Sequence, residues 1–113
     1  MSDTPPYVLV VHSDVDPAHD EAFNRWYNEQ HVPDLIGQPG FVRARRYVCV
    51  EGDQLKYLAI YEFEREENRK TPEYAKVRGT GPITPHVRGL SVGVFRKIFE
   101  YEKPGARPGD KAR

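Results

Sequence analysis

His31 is the side chain of this sequence best suited to acid–base chemistry. It follows Tyr27 by four residues and Phe23 by eight, within the segment WYNEQHVPDL that spans residues 26–35. This spacing predicts that the three side chains share one face of a helix. Burial lowers the pKa of an imidazole, whereas a helix C-terminus and a neighbouring carboxylate raise it. We therefore expect a pKa near neutrality, which suits proton transfer.

Two neighbours are candidates to assist His31 as catalytic residues. Asp34 follows it by three residues, a spacing at which a carboxylate can hold the imidazole tautomer or accept a proton. The alternative role for Asp34 is to cap the loop after the helix. Tyr27 can donate its hydroxyl to a substrate oxygen, although core packing is the commoner fate of such an aromatic.

Three further side chains are candidates for substrate contact. Trp26 precedes Tyr27 directly, and its alternative role is packing. His86 follows Pro85 in a loop that could fold over a pocket mouth, and its alternative is exposure to solvent. His12 ends the first strand-like segment, where it faces either the interior between sheet and helices or the strand end.

Composition excludes several classes of function. Lysine and arginine total 17, as do aspartate and glutamate, so no net field attracts nucleic acid or an anionic membrane. The single cysteine, Cys49, excludes an internal disulfide and a multi-cysteine metal site. Closely spaced histidine pairs and a glycine-rich phosphate loop are missing from the sequence. Without a long apolar run, the chain is expected to be cytoplasmic and to bind no metal, nucleic acid or membrane.

The elements that must position these residues follow from the residue pattern. Helices are expected after Asp16-Pro17 and Thr71-Pro72, since an N-cap residue precedes proline at the first helical position in each. Pro33 should end or kink the first helix because it lacks an amide donor. Strand-like composition marks residues 7–13, 41–50, 56–63 and 90–101. The order β-α-β-β-α-β predicts an α+β fold of the ferredoxin-like type, with a four-stranded antiparallel sheet.

The chain is predicted to hold one domain, residues 7–101. Residues 1–6 and 102–113 are rich in proline, glycine and polar side chains and are expected to be flexible. Two helices on one face of the sheet would leave the other face uncovered, with too many apolar residues to stay in water. Pairing of two such faces across a two-fold axis predicts a homodimer.

The segment FNRWYNEQHVPDL, the Pro-Gly-Phe corner at residues 39–41 and the RARRY strand that follows resemble the EthD-like family of the dimeric α/β-barrel (ferredoxin-like) superfamily. That superfamily includes cofactor-free monooxygenases, polyketide and olivetolic-acid-type cyclases, lactone isomerases, aldoxime or haem-linked enzymes, and proteins without an assigned activity. The resemblance implies a dimeric barrel with a pocket between sheet and helices near His31, where such enzymes often use a histidine as acid or base. It does not select the reaction.

Two main hypotheses follow for the function. The first is an enzyme without a cofactor, in which His31 moves a proton next to a carbonyl of a small oxygenated or aromatic substrate. Isomerisation, cyclisation, lyase chemistry and cofactor-free oxygenation all begin with that step. The second is a non-catalytic dimer that binds a small hydrophobic ligand or supports a neighbouring enzyme. It predicts that His31 is fully hydrogen-bonded by its own protein and that no open cavity reaches it. A third, weaker hypothesis is assembly alone.

Overall fold

The computed structural model describes residues 4–105. Its main elements in chain order are β1 (Tyr7–Val15), α1 (Asp20–Trp26), a π-helical turn (Tyr27–His31), α2 (Val32–Ile36), β2 (Phe41–Val48), β3 (Tyr57–Phe63), α3 (Pro72–Val77) and β4 (Val87–Arg96). Short 3-10 turns precede α1, precede α3 and connect α3 to β4 (Pro17–His19, Glu66–Arg69 and Gly81–His86). The β-α-β-β-α-β order is the one expected from the sequence.

The four strands form one antiparallel sheet in the order β2-β3-β1-β4. This arrangement confirms the predicted ferredoxin-like α+β fold. The last strand differs from its predicted bounds. It begins at Val87 and ends at Arg96, because residues 87–89 already continue the pairing with the end of β1.

Both predicted helix starts are formed by a side-chain cap. The Asp16 carboxylate accepts a hydrogen bond from the Ala18 amide at 3.1 Å, and the Thr71 hydroxyl accepts one from the Tyr74 amide at 3.0 Å. Each cap satisfies an amide that has no partner within its own helix. Asp16 thus caps the 3-10 turn Pro17–His19 that leads into α1, whereas Thr71 caps α3 itself.

The first helix does not end at Pro33. It continues to Ile36 through the wider π-helical turn, in which the amide of Val32 bonds the carbonyl of Tyr27. Proline lacks an amide and its ring crowds the carbonyl four residues earlier. One extra residue in the turn changes the pairing at that point, and such π-turns often occur at functional sites. His31 is the last residue of the turn.

The core lies between the helices and the face of the sheet that they cover, which we call the inner face. Phe23, Tyr27 and Leu35 contribute from the helical side. The buried inner-face residues of the sheet are Leu9, Val15, Phe41, Tyr57, Ala59, Tyr61 and Phe63. Stacked rings continue this core to α3, because Phe41 lies 5.1 Å from Phe63 and 5.5 Å from Tyr74 between ring centroids.

The ends of the chain were predicted to be flexible, and residues 1–3 and 106–113 of those segments lie outside the described residues. Near the N-terminus, the carbonyl of Pro6 accepts a hydrogen bond from the Lys97 amide at 2.7 Å. Residues just before β1 therefore contact the segment just after β4. Within residues 4–105, no helix is both long and apolar enough to cross a membrane.

Candidate active site

A cavity of about 300 Å³ lies between the inner face of the sheet and the helices. His31 and Tyr27 of the π-helical turn line it from one side, and Tyr61 of β3 lines it from the sheet. The remaining lining residues are Leu9, Val11, Leu35, Tyr74, Ala75, Arg78, Gly79, Thr80, Leu90 and Val92. Since most of these side chains are apolar, the few polar groups decide what chemistry the cavity can support.

The His31 imidazole is held by aromatic rings on three sides. Its ring stacks on Trp26 with centroids 4.6 Å apart, and it meets the rings of Tyr27 and Tyr61 edge to face at 5.1 and 6.3 Å. The residue is only 5% exposed. Among the described residues nothing hydrogen-bonds the imidazole, yet neither ring nitrogen is sealed from solvent. The nitrogens are therefore free to meet a ligand.

His31 is uncharged at neutral pH. Burial lowers its pKa to about 4, and the carboxylate of Asp34 offsets only part of that effect. The near-neutral value expected from the sequence is wrong, because the aromatic surroundings penalise the charged ring more than the carboxylate favours it. A neutral imidazole of this kind can accept a proton and cannot donate one at pH 7.

Tyr61 lines the same cavity from the sheet, and its hydroxyl is buried near that of Tyr27. Its side chain is fully buried, and its hydroxyl has no hydrogen-bond partner among the described residues. Burial raises the pKa of Tyr61, and the neighbouring Tyr27 hydroxyl raises it further, so the group stays protonated. An unpartnered buried hydroxyl is costly. Because this hydroxyl is also sealed from solvent, a ligand oxygen meets it only where the ligand packs directly against the Tyr61 ring.

Tyr27 is fixed by an arginine rather than left free. The Arg46 guanidinium lies 4.4 Å from the Tyr27 ring centroid and donates hydrogen bonds to the side chains of Asn28 and Asn24 at 2.8 and 2.9 Å. Burial raises the pKa of Tyr27. Arg46 thus joins β2 to the helical turn that carries His31.

Asp34 does not orient the imidazole by a hydrogen bond. Its carboxylate accepts one from the Gln30 side chain at 2.7 Å, four residues earlier along the helix. The residue is absent from the cavity lining, and it affects His31 only through its charge. Asp34 therefore does not hold the imidazole tautomer, and it acts on His31 only through its negative charge.

The three predicted substrate contacts lie outside the cavity. Trp26 stacks on the His31 ring, on the side away from the cavity lining. Its indole also lies close to Gly81, since a Cβ atom added to that glycine would lie 3.0 Å from the indole. His86 ends the 3-10 turn and packs its ring against His19, with centroids 3.4 Å apart. His12 alternates with Leu9 and Val11 along β1, so it lies on the opposite, outer face of the sheet.

The sequence did not identify Tyr61, Tyr74 or Arg78 as site residues. The sequence did indicate that Tyr61 faces the core, because alternation in residues 57–63 places it on the same face as other aromatic residues. No sequence feature indicated a site role for Arg78, because a basic residue at the C-terminus of a short helix usually interacts with the helix dipole. Within residues 4–105, no three histidine, cysteine, aspartate or glutamate side chains converge as a metal site would require.

Comparison with solved structures supports the fold. The chain is similar to SnoaB, a cofactor-independent oxygenase from Streptomyces nogalater, with 18% identity, a TM-score of 0.67 and coverage of 86% of this chain and 97% of that one. It is also similar to an EthD-family protein from Bacillus halodurans, with 14% identity, a TM-score of 0.61 and coverage of 81% and 99%. Identities this low show a common fold, and they confirm at that level the resemblance inferred from the sequence.

Comparison at the level of sequence gives the family. No curated protein matches the chain. The profile of one family, described as a domain of unknown function (DUF4286), matches residues 6–79. This match covers more than half of the 113 residues and includes β1, the helix that carries His31, β2, β3 and α3. The chain therefore belongs to the DUF4286 family.

Proposed function

We propose that this protein is a small-molecule enzyme that needs no cofactor and uses His31 as a general base. The observation that carries this proposal is a neutral imidazole with accessible nitrogens in an apolar cavity, in edge-to-face contact with Tyr61, whose hydroxyl has no hydrogen-bond partner within residues 4–105. A base and a donor at one small cavity are what removal of a proton next to a carbonyl requires.

The proposed first step converts the substrate to its enolate by moving one proton to His31. A His31 nitrogen takes a proton from the carbon adjacent to a substrate carbonyl. The electrons of that C–H bond form a C=C bond, while the π electrons of the carbonyl move onto its oxygen. Tyr61 donates a hydrogen bond to the developing enolate oxygen. The new negative charge beside the imidazolium raises the pKa of His31 while the intermediate lasts. A pKa of about 4 in the empty cavity therefore favours substrates whose proton is already acidic.

Other residues contribute indirectly in this proposal. Trp26 holds the plane of the imidazole, and Arg46 holds the Tyr27 ring beside it. Tyr27 is the second candidate donor to a substrate oxygen, and Asp34 acts through its charge alone. His12 and His86 have no part in the step. The fate of the enolate, whether isomerisation, cyclisation, bond cleavage or attack on oxygen, depends on the substrate, and similarity to a cofactor-independent oxygenase supports the last of these.

The proposal can be tested before the natural substrate is known. Aryl ketones and hydroxyaryl ketones in deuterated water would be assayed by NMR for deuterium uptake at the carbon next to the carbonyl. His31→Gln should slow the exchange by at least about 100-fold, whereas the control substitutions His12→Gln and His86→Gln should leave it unchanged. Equal exchange in wild type and folded His31→Gln would remove His31 as the base.

The second candidate function is a non-catalytic ligand-binding protein. The observation that favours it is the missing proton relay, since Asp34 bonds Gln30 rather than His31. Against it, His31 is not hydrogen-bonded by the described residues and a cavity reaches it. This alternative would gain support if ligands bound in the cavity without deuterium exchange or turnover.

We also propose that two copies pair through the outer face of the sheet. Outward positions alternate with the inner face and include Val8, Val10, Tyr47, Leu58, Ile60 and Phe95. Phe95 is 57% exposed and Tyr47 is 48% exposed. The same face carries the Glu62 ion pairs with Arg43 and Arg45. Burial of its apolar part is favourable in proportion to its area, and a two-fold axis lets one face cover the other.

A further inference from the structure

Arg78 lines the same cavity as His31, at the end of α3. Its amide donates a hydrogen bond to the Tyr74 carbonyl at 3.0 Å, which closes the helix. Gly79 then turns the chain with a φ of +98°, a conformation that glycine adopts without strain. Both Gly79 and Thr80 also line the cavity. The backbone hydrogen bond and the Gly79 turn thus fix the position of the Arg78 Cα atom beside the cavity.

Arg78 is the only lining residue whose side chain is charged at neutral pH. The rest are apolar residues, tyrosines, a glycine, a threonine and the neutral His31, and no carboxylate is among them. Burial raises the pKa of Tyr74, and the charges of Arg69 and Arg78 offset only part of that shift. Arg78, which is exposed, therefore supplies the positive charge that the described lining of the cavity offers to a ligand.

Several other arginines of this chain have an acidic partner. Arg43 and Arg45 both bind Glu62, at 3.1 and 2.7 Å, and Arg88 binds Asp16 at 3.2 Å. Among the described residues, the Arg78 guanidinium has neither an ion pair nor a side-chain hydrogen bond. Its five donors are therefore available to a ligand.

We propose that the cavity binds a small carboxylic acid with one or two rings, whose carboxylate pairs with Arg78. A guanidinium fits a carboxylate with two parallel hydrogen bonds. The apolar body of the acid would lie against Leu9, Val11, Leu90 and Val92, while its carbonyl-bearing part meets His31 and Tyr61. A volume of about 300 Å³ is at the small end for ligand sites and limits the size of the acid. This inference rests on the proposed function, since it names the substrate class of the same site.

A different explanation for Arg78 is that it only stabilises the C-terminus of α3. A cation there interacts favourably with the helix dipole. This explanation predicts lower stability on substitution and no effect on ligand choice. The two roles can therefore be separated by binding measurements on folded variants.

The test compares phenylpropanoate with phenylpropanamide, which match in shape and differ in charge. Binding is followed by calorimetry and by fluorescence of Trp26, the only tryptophan in the chain, which stacks on His31. Wild type should prefer the acid by about tenfold, a ratio that corresponds to one charge-assisted pair. Arg78→Gln should abolish this preference and leave amide binding unchanged, whereas Arg78→Lys should keep part of it.

Arg25→Gln serves as the matched control, because Arg25 is exposed and pairs only weakly with Glu21 at 3.8 Å. It should retain the full preference for the acid. The proposal is overturned if wild type binds both probes equally or binds neither, or if folded Arg78→Gln still prefers the acid. Acid-selective binding without deuterium exchange would support the carboxylate site and remove the proposed function. Deuterium exchange on neutral ketones without a preference for the acid would support the proposed function and remove the carboxylate site.

Discussion

The indole of Trp26 lies nearly parallel to the imidazole of His31, with ring centroids 4.6 Å apart and planes inclined by 17°. Trp26 also touches the start of the 3-10 turn at Gly81. One side chain thus supports the candidate base and the segment that begins next to the cavity. Because the indole excludes water from one face of the imidazole, it also contributes to keeping that ring neutral.

Replacement of Trp26 should therefore affect both the position and the pKa of His31. In Trp26→Ala, water reaches the imidazole, and its pKa should move from about 4 towards the ordinary value for histidine. Activity should fall at the same time, because the ring is no longer held. Trp26→Phe keeps a stacked ring and should retain most of both properties. NMR titration of the His31 ring protons provides the measurement, and an unchanged pKa in Trp26→Ala would contradict this role.

The stability of the protein should depend on pH through His31. Its folded-state pKa of about 4 lies below the unfolded value of 6.5, so the unfolded chain binds more protons between those limits. The contribution is fully present above pH 6.5 and is lost as the pH falls towards 4. By the linkage relation, the free energy of unfolding should drop by roughly 3 kcal/mol across this window.

Urea unfolding at a series of pH values measures this effect. His31→Gln has no imidazole to protonate and should lack that part of the pH dependence. Comparison with the variant removes the contribution of acidic groups such as Asp16 and Asp20, whose pKa values are lowered by hydrogen bonds from Ala18 and Tyr57. Identical pH profiles for the two proteins would mean that His31 is not buried in its neutral form.

Arg46→Met should destabilise the protein and disorder the helical turn that carries His31. The substitution keeps an unbranched chain over the Tyr27 ring but removes the hydrogen bonds to Asn24 and Asn28. Loss of these charge-assisted hydrogen bonds and of the cation–π contact should lower the free energy of unfolding by roughly 2–4 kcal/mol. Arg25→Met, which loses only an exposed ion pair, should cost less than about 0.5 kcal/mol. Thermal unfolding of both variants distinguishes these outcomes.

The proposed dimer can be tested at Phe95 on the outer face. Phe95→Asp places a charge on an exposed strand position opposite Val8, where it disfavours pairing of two apolar faces. Sedimentation should show a dimer for wild type and a monomer for this variant. Val50→Asp is the control, because Val50 is 91% exposed outside the strands. Wild-type protein that sediments as a monomer at micromolar concentration would disprove the dimer.

The sequence predicted the fold better than the site, for a physical reason. Periodicity and capping patterns report on local structure, so the order of elements and both helix starts could be inferred. The position of His12 could not, because residues 7–13 are nearly all apolar and do not alternate. Without alternation, nothing in the sequence tells which side chains of β1 face the helices.

Contacts between distant segments account for the other differences. The spacing of Asp34 from His31 suggested a hydrogen bond, but the carboxylate accepts one from Gln30, four residues earlier in the chain, instead. His86 was expected near the pocket mouth, whereas the 3-10 turn directs its ring to His19. Tyr61 and Arg78 belong to the cavity only because β3 and the end of α3 meet there, which no local pattern encodes.

The π-helical turn gives the candidate site an unusual sensitivity to chain length. A turn of this type is an α-helix that holds one surplus residue, and each residue of an α-helix rotates the next by about 100°. Deletion of the exposed Glu29 from Tyr27–His31 would restore a regular helix with the same caps and nearly the same length. His31 would then follow Tyr27 by three residues instead of four, which changes the edge-to-face contact between the two rings that line the cavity. A single-codon deletion thus keeps the architecture of the protein and alters the geometry of its proposed base.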